Sequence, residues 1–199
     1  MIIDKQQITA VILAGGQGRR MGGQDKGLIE IDGRAIVQIL IEKLRRQSLP
    51  ILVNANRNQQ LYAAFGEAVV SDQIDNYQGP LAGFASAMSQ VNSDYILTMP
   101  CDSPLLIDDY ADRFITAQAS ANAAICVAHD GERMQPVHAL IRVDLLDSLL
   151  EFLDSGDRKI DRWYAKHKPE LVDFSDSAGM FANINTPQDQ QRLQADEQS

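Results

Sequence analysis

The sequence predicts an α/β protein: a single three-layer domain in which a mainly parallel sheet carries helices on both faces. Short continuous apolar runs alternate along the chain with amphipathic helical patterns, as expected of parallel strands that are buried on both faces. A glycine-rich loop follows the first apolar run. No internal repeat and no Pro- or Gly-rich linker divides the 199 residues. We therefore expect residues 1–199 to form one domain, with a frayed tail at 195–199.

The strands are expected where the apolar runs occur. The first run, residues 9–14, reads TAVILA and is apolar over almost its whole length, as in a strand covered on both faces. Four further runs of this kind span residues 51–56, 67–72, 94–100 and 123–128. Residues 129–140 predict a hairpin around Asp130-Gly131 that leads into another strand.

Amphipathic helices are expected between the strands. The clearest covers residues 35–47, where Ile36, Ile39, Leu40 and Leu44 recur at helical spacing. Other patterns predict helices at residues 59–65, 81–91, 108–119 and 143–155. Crossover helices bring the carboxyl ends of parallel strands to one end of the sheet, and ligands bind there in open α/β sheets.

Charge and composition exclude several classes of protein. With 18 Lys and Arg against 27 Asp and Glu, the net charge is −9, which disfavours nucleic-acid binding because that function needs a basic surface. The first residues, MIIDKQQ, do not form a signal peptide, and no segment approaches the length of a membrane helix. The two cysteines, Cys101 and Cys126, lack metal-binding spacing. We therefore expect a reduced, cytoplasmic protein that binds neither nucleic acid nor membrane.

The loop at residues 15–27 is the strongest functional signal. Five glycines lie within its first nine residues, and they let backbone N–H groups approach a phosphate closely. Arg19, Arg20 and Lys26 add three cations at the same place in an acidic protein. This combination predicts a site for a polyphosphate, and the three cations disfavour a plain surface turn.

Two better-known phosphate motifs fit the loop less well. The glycines Gly16, Gly18 and Gly22 approximate a dinucleotide fingerprint, but Asp32 lies in a turn and not at the end of a second strand. A P-loop requires Ser or Thr after its lysine, whereas Lys26 is followed by Gly27. An oxidoreductase that uses a dinucleotide is therefore disfavoured.

Polar side chains also end the other predicted strands. Asp102 follows the strand at residues 94–100, within PCDSP, and is either a cap or a ligand of Mg²⁺, which takes few protein carboxylates. Asn54 and Asp72 end two further strands, where each is either a nucleotide contact or a turn residue. Gly79 precedes Pro80, which favours a helix start with an exposed backbone. The absence of a nearby base makes Cys101 a packed residue rather than a nucleophile.

These motifs carry a resemblance to a known family. LAGGQGRRMGGQDK (residues 13–26) resembles the LAGGxxxRMGxDK signature of nucleotidyltransferases that activate sugars, polyols and molybdopterin. With QGPLAG (78–83), PCDSP (100–104) and FANINTP (181–187), it resembles the molybdenum cofactor guanylyltransferase family over about residues 8–193. The chain departs from that family's frequent pattern at Gly18 and Gln78, and neither change alters a charged group.

The resemblance implies a nucleotide-diphospho-sugar transferase type of Rossmann-like fold and a set of site residues. It implies catalytic roles for Arg20, Lys26 and Asp102, with Asp102 as the Mg²⁺ ligand. Which of Arg19 and Arg20 faces the phosphates is left open. The GTP contacts it implies are Leu13, Ala14, Gly15, Gly16, Lys26, Asn54, Asp72, Gly79 and Asp102.

For the acceptor the resemblance implies contacts in the C-terminal half of the chain. They are Arg158, Asn183 and Asn185, although the two asparagines either face the acceptor or metal or only shape the helix start at Thr186-Pro187. Both His129 and His138 lack metal spacing and are expected to be packed or solvated. We expect a monomer that makes transient contacts with other molybdenum-cofactor proteins.

The implied reaction moves GMP from GTP to the phosphate of molybdopterin and releases pyrophosphate, with Mg²⁺ as cofactor. A phosphate monoester has a second pKa of ~6 and is already a nucleophile at neutral pH. The lack of a His/Asp or Ser/His constellation is therefore consistent with this chemistry. Cytidylyl transfer to molybdopterin or a polyol phosphate, uridylyl transfer to a sugar phosphate, and a non-catalytic nucleotide-binding module are the alternatives.

Overall fold

The computed structural model describes residues 3–14, 24–72 and 79–183. Within them a seven-stranded sheet has the order β5-β4-β1-β6-β8-β7-β9, and a separate two-stranded hairpin pairs β2 with β3. All neighbours in the large sheet are parallel except at β8, which runs antiparallel to both β6 and β7. The prediction of a mainly parallel sheet is confirmed.

The strands of the large sheet are six residues long or shorter, apart from β8. Their bounds are β1 Ile8–Leu13, β4 Ile51–Asn54, β5 Ala68–Val70, β6 Tyr95–Pro100, β7 Ile125–His129, β8 Met134–Arg142 and β9 Glu170–Asp173. The hairpin consists of β2 Glu30–Ile31 and β3 Arg34–Ala35. Its two-residue turn is Asp32-Gly33, and both residues have positive φ, as this tight hairpin requires.

The helices lie on both faces of the sheet. Their bounds are α1 Ile36–Arg46, α2 Gln59–Ala63, α3 Pro80–Met88, α4 Tyr110–Ala121, α5 Leu146–Asp154 and α6 Ile160–Ala165. Short 3₁₀ segments include Lys26–Leu28 and Ser175–Phe181. None of the helices in the described segments is long and apolar enough to cross a membrane.

Alternate residues of each central strand enter two separate hydrophobic cores. In β1, Ile8, Ala10 and Ile12 pack with α1 and α4, whereas Val11 faces the opposite side. That second core contains the buried faces of α3, α5 and α6. A strand that is buried on both sides cannot show polar alternation, which explains the continuous apolar run of its sequence. The predicted three-layer arrangement is confirmed.

The predicted elements are present with small shifts at their ends, but three others escaped the sequence analysis. These are the hairpin of β2 and β3, helix α6 and strand β9. Helix α6 has only six residues, too few for a clear 3.6-residue period. In β9, at the edge of the sheet, Val172 is the one buried residue, so the strand lacks an apolar run.

His138 is buried in the first core, where it contacts the rings of Tyr110 and Phe181. Burial lowers the pKa of His138 from 6.5 to about 3. Between pH 6.5 and about pH 3, His138 is therefore protonated in the unfolded chain but neutral in the folded chain. The folded state loses stability as pH falls through that interval. We expect the free energy of unfolding to drop by about 2 to 3 kcal/mol between pH 7 and pH 4.5 on this account.

The variant His138→Phe should remove that pH dependence. The substitution removes the hydrogen bond between His138 Nδ1 and the Tyr110 hydroxyl at 3.1 Å, but that hydroxyl still donates to Thr98 O at 3.0 Å. The measurement is the urea midpoint at several pH values. His167→Gln is the control, since burial also lowers the pKa of His167 but this side chain is only partly buried. An equally steep acid loss in His138→Phe would contradict the assignment.

Candidate active site

Four neighbouring parallel strands, β5, β4, β1 and β6, end together at what we call the carboxyl end of the sheet. The backbone pairing of β1 with β6 continues one residue past the end of β6, since Cys101 N donates to Leu13 O at 3.0 Å. Asn54 is the last residue of β4, while Asp72 and Asp102 follow β5 and β6 by two residues. The sheet thus brings the three polar strand-end residues to one side of the molecule.

Lys26 and Asp102 form an ion pair at this end. The Nζ atom of Lys26 lies 2.7 Å from Oδ2 of Asp102, and the two side chains are only 24% and 12% exposed. The residues are 76 positions apart, so the fold of β1 beside β6 creates the pair. The sequence predicts both residues at the phosphates, whereas their direct contact is a finding of the structure.

Asp25, which the sequence analysis did not single out, anchors the chain beside Lys26. Its carboxylate is buried and accepts hydrogen bonds from the Tyr62 hydroxyl at 2.5 Å and from Asn58 Nδ2 at 3.0 Å. Nε of Arg57 lies 3.5 Å from the same carboxylate. These partners come from the start of α2 and the residues before it, so Asp25 joins the segment that carries Lys26 to the segment after β4.

Two glycines permit close packing around the site. A Cβ on Gly27 would lie 2.5 Å from the Tyr62 hydroxyl, and one on Gly83 would lie 2.7 Å from Oδ1 of Asn54. Any side chain at these positions would displace buried neighbours. Gly79, in contrast, has a φ of 129°, which favours glycine on conformational grounds, and it caps α3 just before Pro80 as expected.

Asn54 and Asp72 contact each other, and Asn56 completes the group. Nδ2 of Asn54 donates to Asp72 Oδ1 at 3.0 Å, while Nδ2 of Asn56 donates to Asp72 Oδ2 at 2.7 Å. Asn56 Oδ1 also accepts from the backbone N of Asp72 at 2.8 Å. The residue Asn54 is only 2% exposed, so its buried amide orients the carboxylate of Asp72 from the interior of the protein. Residues 56–61 line an adjoining depression of about 390 Å³.

The acceptor residues expected from the sequence have different surroundings. Oδ1 of Asn183 accepts a hydrogen bond from Ser103 Oγ at 2.8 Å, so Asn183 lies beside the turn that carries Asp102. Nη1 of Arg158 donates to the carbonyl oxygens of Leu153 and Asp157, at 2.9 and 2.8 Å, between α5 and α6. The structure brings Asn183 to Ser103, the residue after Asp102, whereas the bonds of Arg158 hold it against the end of α5.

Several expected site residues lie outside the described residues. They are Gly15, Gly16, Arg19, Arg20 and Asn185. Gln78, the helix start at Thr186-Pro187 and the tail at 195–199 lie outside as well.

The side chains at Asp102 fit a hard cation. Within the described segments, Oδ1 of Asp102 accepts no hydrogen bond, so one carboxylate oxygen is available as a ligand. No group of three or more His, Cys, Asp or Glu side chains that could hold a metal occurs in that same part of the chain. Mg²⁺ takes few protein carboxylates and commonly draws most of its ligands from phosphate oxygens and water, so a single aspartate is compatible with its binding. Burial raises the pKa of Cys101, which keeps the neighbouring thiol protonated and unreactive.

A mainly parallel sheet that carries a Lys–Asp pair at its carboxyl end, with the lysine in a glycine-rich segment of the sequence, is the arrangement expected of a nucleotidyltransferase. The chain belongs to the MobA-like NTP transferase domain family, whose sequence pattern matches residues 10–171. It is 50% identical over 187 residues to the molybdenum cofactor guanylyltransferases of Shewanella sediminis and Shewanella baltica, covering 94% of this chain and 95% of each relative.

Solved structures share the fold at low sequence identity. Molybdopterin-guanine dinucleotide biosynthesis protein A from Archaeoglobus fulgidus superposes with a TM-score of 0.79 at 18% identity, covering 96% of this chain and 98% of the other. The 4-diphosphocytidyl-2C-methyl-D-erythritol synthase of Anaerococcus prevotii gives 0.71 at 14% identity, over 98% and 100% of the two chains. These likenesses support the nucleotide-diphospho-sugar transferase type of fold.

Proposed function

We propose that this protein transfers GMP from GTP to the terminal phosphate of a molybdopterin-type acceptor. An acceptor phosphate oxygen bonds to the α-phosphorus, the bond from that phosphorus to the bridging oxygen breaks, and pyrophosphate leaves with the electron pair. The product is molybdopterin guanine dinucleotide. The names of relatives at 50% identity over almost the whole chain support this choice of base and acceptor.

The contact between Lys26 and Asp102 is the observation that carries the proposal. Both groups lie at the carboxyl end of the sheet, where open α/β sheets bind nucleotides, and Lys26 belongs to the glycine-rich segment of the sequence. The ammonium group of Lys26 offsets negative charge on the nucleotide phosphates. Because the attacking phosphate is already ionised at neutral pH, the site needs charge neutralisation and alignment rather than a general base.

Mg²⁺ is the cofactor in this proposal, with Asp102 as its protein ligand. Bound there, it would neutralise charge on the reacting phosphate groups. Among the described residues, none donates a hydrogen bond to Oδ1 of Asp102, which supports this role. Lys26 meanwhile competes for the other oxygen of the same carboxylate.

The N-terminal half is proposed to hold the nucleotide and the C-terminal half the acceptor. The nucleotide contacts are Leu13, Ala14, Gly15, Gly16, Lys26, Asn54, Asp72, Gly79 and Asp102, with Arg20 acting on the phosphates. Asn183 is placed with the acceptor because its bond to Ser103 holds it beside Asp102. Arg158 and Asn185 complete that proposal. A cytoplasmic location is consistent with two buried, unpaired cysteines.

A thermal-shift comparison of nucleotides tests the choice of base. We expect Mg·GTP to raise the melting temperature, because a ligand that binds only the folded state stabilises it by mass action. At equal concentration, Mg·CTP, Mg·UTP and Mg·ATP should raise it much less.

The companion measurement is transfer itself, followed as pyrophosphate release with molybdopterin present or omitted. Release that depends on both GTP and molybdopterin supports the proposal. Stronger stabilisation and turnover with CTP would assign the chain to cytidylyl transfer. Nucleotide binding without pyrophosphate release under any of these conditions would make it a binding module.

A further inference from the structure

Asp25, the residue before Lys26, has a buried carboxylate that is held by two side chains from the segment that begins α2. This group, which we call the Asp25 clamp, consists of Asp25, Asn58 and Tyr62. The three residues come from two separate segments, one before the 3₁₀ segment Lys26–Leu28 and one at the start of α2. Nothing in the chemistry of GMP transfer by itself requires these residues.

The side chain of Asp25 makes tertiary hydrogen bonds and does not cap the local 3₁₀ segment. Asp25 occupies the N-cap position of Lys26–Leu28, yet its side chain makes no capping hydrogen bond. Both carboxylate oxygens are instead directed across the fold, Oδ1 to the Tyr62 hydroxyl and Oδ2 to Asn58. A buried carboxylate costs free energy unless it is paired, so these bonds hold the backbone at Asp25 firmly in place.

Tyr62 is a rigid partner. Its side chain is fully buried, so neither the ring nor the hydroxyl can move aside. Burial, reinforced by the neighbouring Cys101 and Asp25, raises the pKa of Tyr62, and the hydroxyl therefore remains a donor to the carboxylate.

The residue on the other side of Lys26 is held as well. Gly27 is buried, and a Cβ there would lie 2.5 Å from the Tyr62 hydroxyl and 3.3 Å from Cβ of Cys101. Gly27 thus sits between Tyr62 and the residue that precedes Asp102. Lys26 is flanked by two anchored positions, and its Nζ meets Asp102 at 2.7 Å.

We propose that Tyr62, acting through Asp25, is a positioning residue that fixes the backbone of Lys26 so that its ammonium group is aimed at Asp102 and the nucleotide phosphates. The part that concerns the phosphates rests on the proposed function. The part that concerns Asp102 does not.

The variant Tyr62→Phe tests the proposal because it removes only the hydroxyl and keeps the ring that packs against Gly27. Asp25 retains Asn58 and Arg57, so the chain should fold. We expect kcat/KM for GTP to fall ~10-fold through loss of alignment. In a Lys26→Met background, the same substitution should cause almost no further fall, because the residue it positions is gone.

A second readout does not depend on activity. Limiting acetic anhydride labels lysines according to the accessibility of their amines, and mass spectrometry can compare Lys26 with Lys5, which is also paired with an aspartate at 2.7 Å. In Tyr62→Phe, labelling of Lys26 should rise several-fold relative to Lys5. Asn58→Gly, which keeps the positive φ of that exposed position, should cause a smaller rise.

Tyr95→Phe is the matched control, since it removes a buried hydroxyl at the opposite end of β6, where Gln118 donates to it. It should lower the melting temperature but leave Lys26 labelling and kcat/KM unchanged. Unchanged labelling in Tyr62→Phe, or additive losses in the Lys26→Met background, would overturn the positioning role. If the unmodified protein fails to turn over GTP, the proposed function fails, and the labelling result alone decides whether Tyr62 positions Lys26.

Discussion

Replacing Asp102 by Asn is expected to lower turnover by at least ~100-fold, the size of loss found when other preorganised electrostatic groups are removed. Asn keeps the shape and one oxygen but loses the charge that a hard cation requires. The substitution also removes the carboxylate that pairs with Lys26. GTP affinity should weaken much less than turnover, because Lys26 and the loop backbone, the proposed phosphate contacts, are unchanged in the ground state.

The measurement is the initial rate of pyrophosphate release against Mg²⁺ concentration. Asp94→Asn is the matched control, since Asp94 immediately precedes β6 at the opposite end of the sheet and is exposed. Its rate and its Mg²⁺ dependence should equal those of the unmodified protein. Near-normal turnover of Asp102→Asn at limiting Mg²⁺ would contradict the role of Asp102 as a metal ligand and leave it only as a structural partner of Lys26.

Replacing Lys26 by Met should have the second largest effect, with kcat/KM for GTP falling ~100-fold for the same electrostatic reason. A second consequence follows from the ion pair. Lys26 occupies Oδ2 of Asp102, so a cation that binds without nucleotide must compete with the ammonium group. Lys26→Met should therefore bind Mn²⁺, a spectroscopically visible substitute for Mg²⁺, more tightly in the absence of GTP.

Electron paramagnetic resonance of Mn²⁺ gives that affinity directly. Lys26→Met and Asp102→Asn should change it in opposite directions, which general destabilisation could not produce. Lys5→Met is the matched control: Lys5 forms an equally short ion pair with Asp112, close to the amino end of β1. An unchanged Mn²⁺ affinity in Lys26→Met would mean that the pair does not compete with the cation.

Local patterns were enough to predict the sheet and the polar residues that end its strands. A strand buried on both faces is mostly apolar, so β1 and β6 were recognisable from their apolar runs, which only Thr9 and Thr98 interrupt. The turn at Asp32-Gly33 could also be predicted locally, because few residue types adopt the positive φ angles that both positions have. Asp102 and Asn54 could be assigned to strand ends because each lies directly beside such a run.

The structural roles of Gly27 and Gly83 could not be predicted from the local sequence pattern. Gly27 and Gly83 lie in motifs that look like turns, yet they are needed because Tyr62 and Asn54 approach them closely. Such a close approach depends on which element packs against the glycine in the fold. The spacing of residues in the sequence does not determine that packing. Gly79, by contrast, has the positive φ that a glycine before a helix often adopts.

The sequence by itself determined the class of fold, the glycine-rich loop and the strand-end residues, because burial and turn chemistry act on neighbours along the chain. The tertiary structure decided which of those residues meet. It paired Lys26 with Asp102 across 76 positions and joined Asp25 to Tyr62 across 37. The order of strands sets such contacts, and the order depends on how the crossover helices pack on the two faces of the sheet.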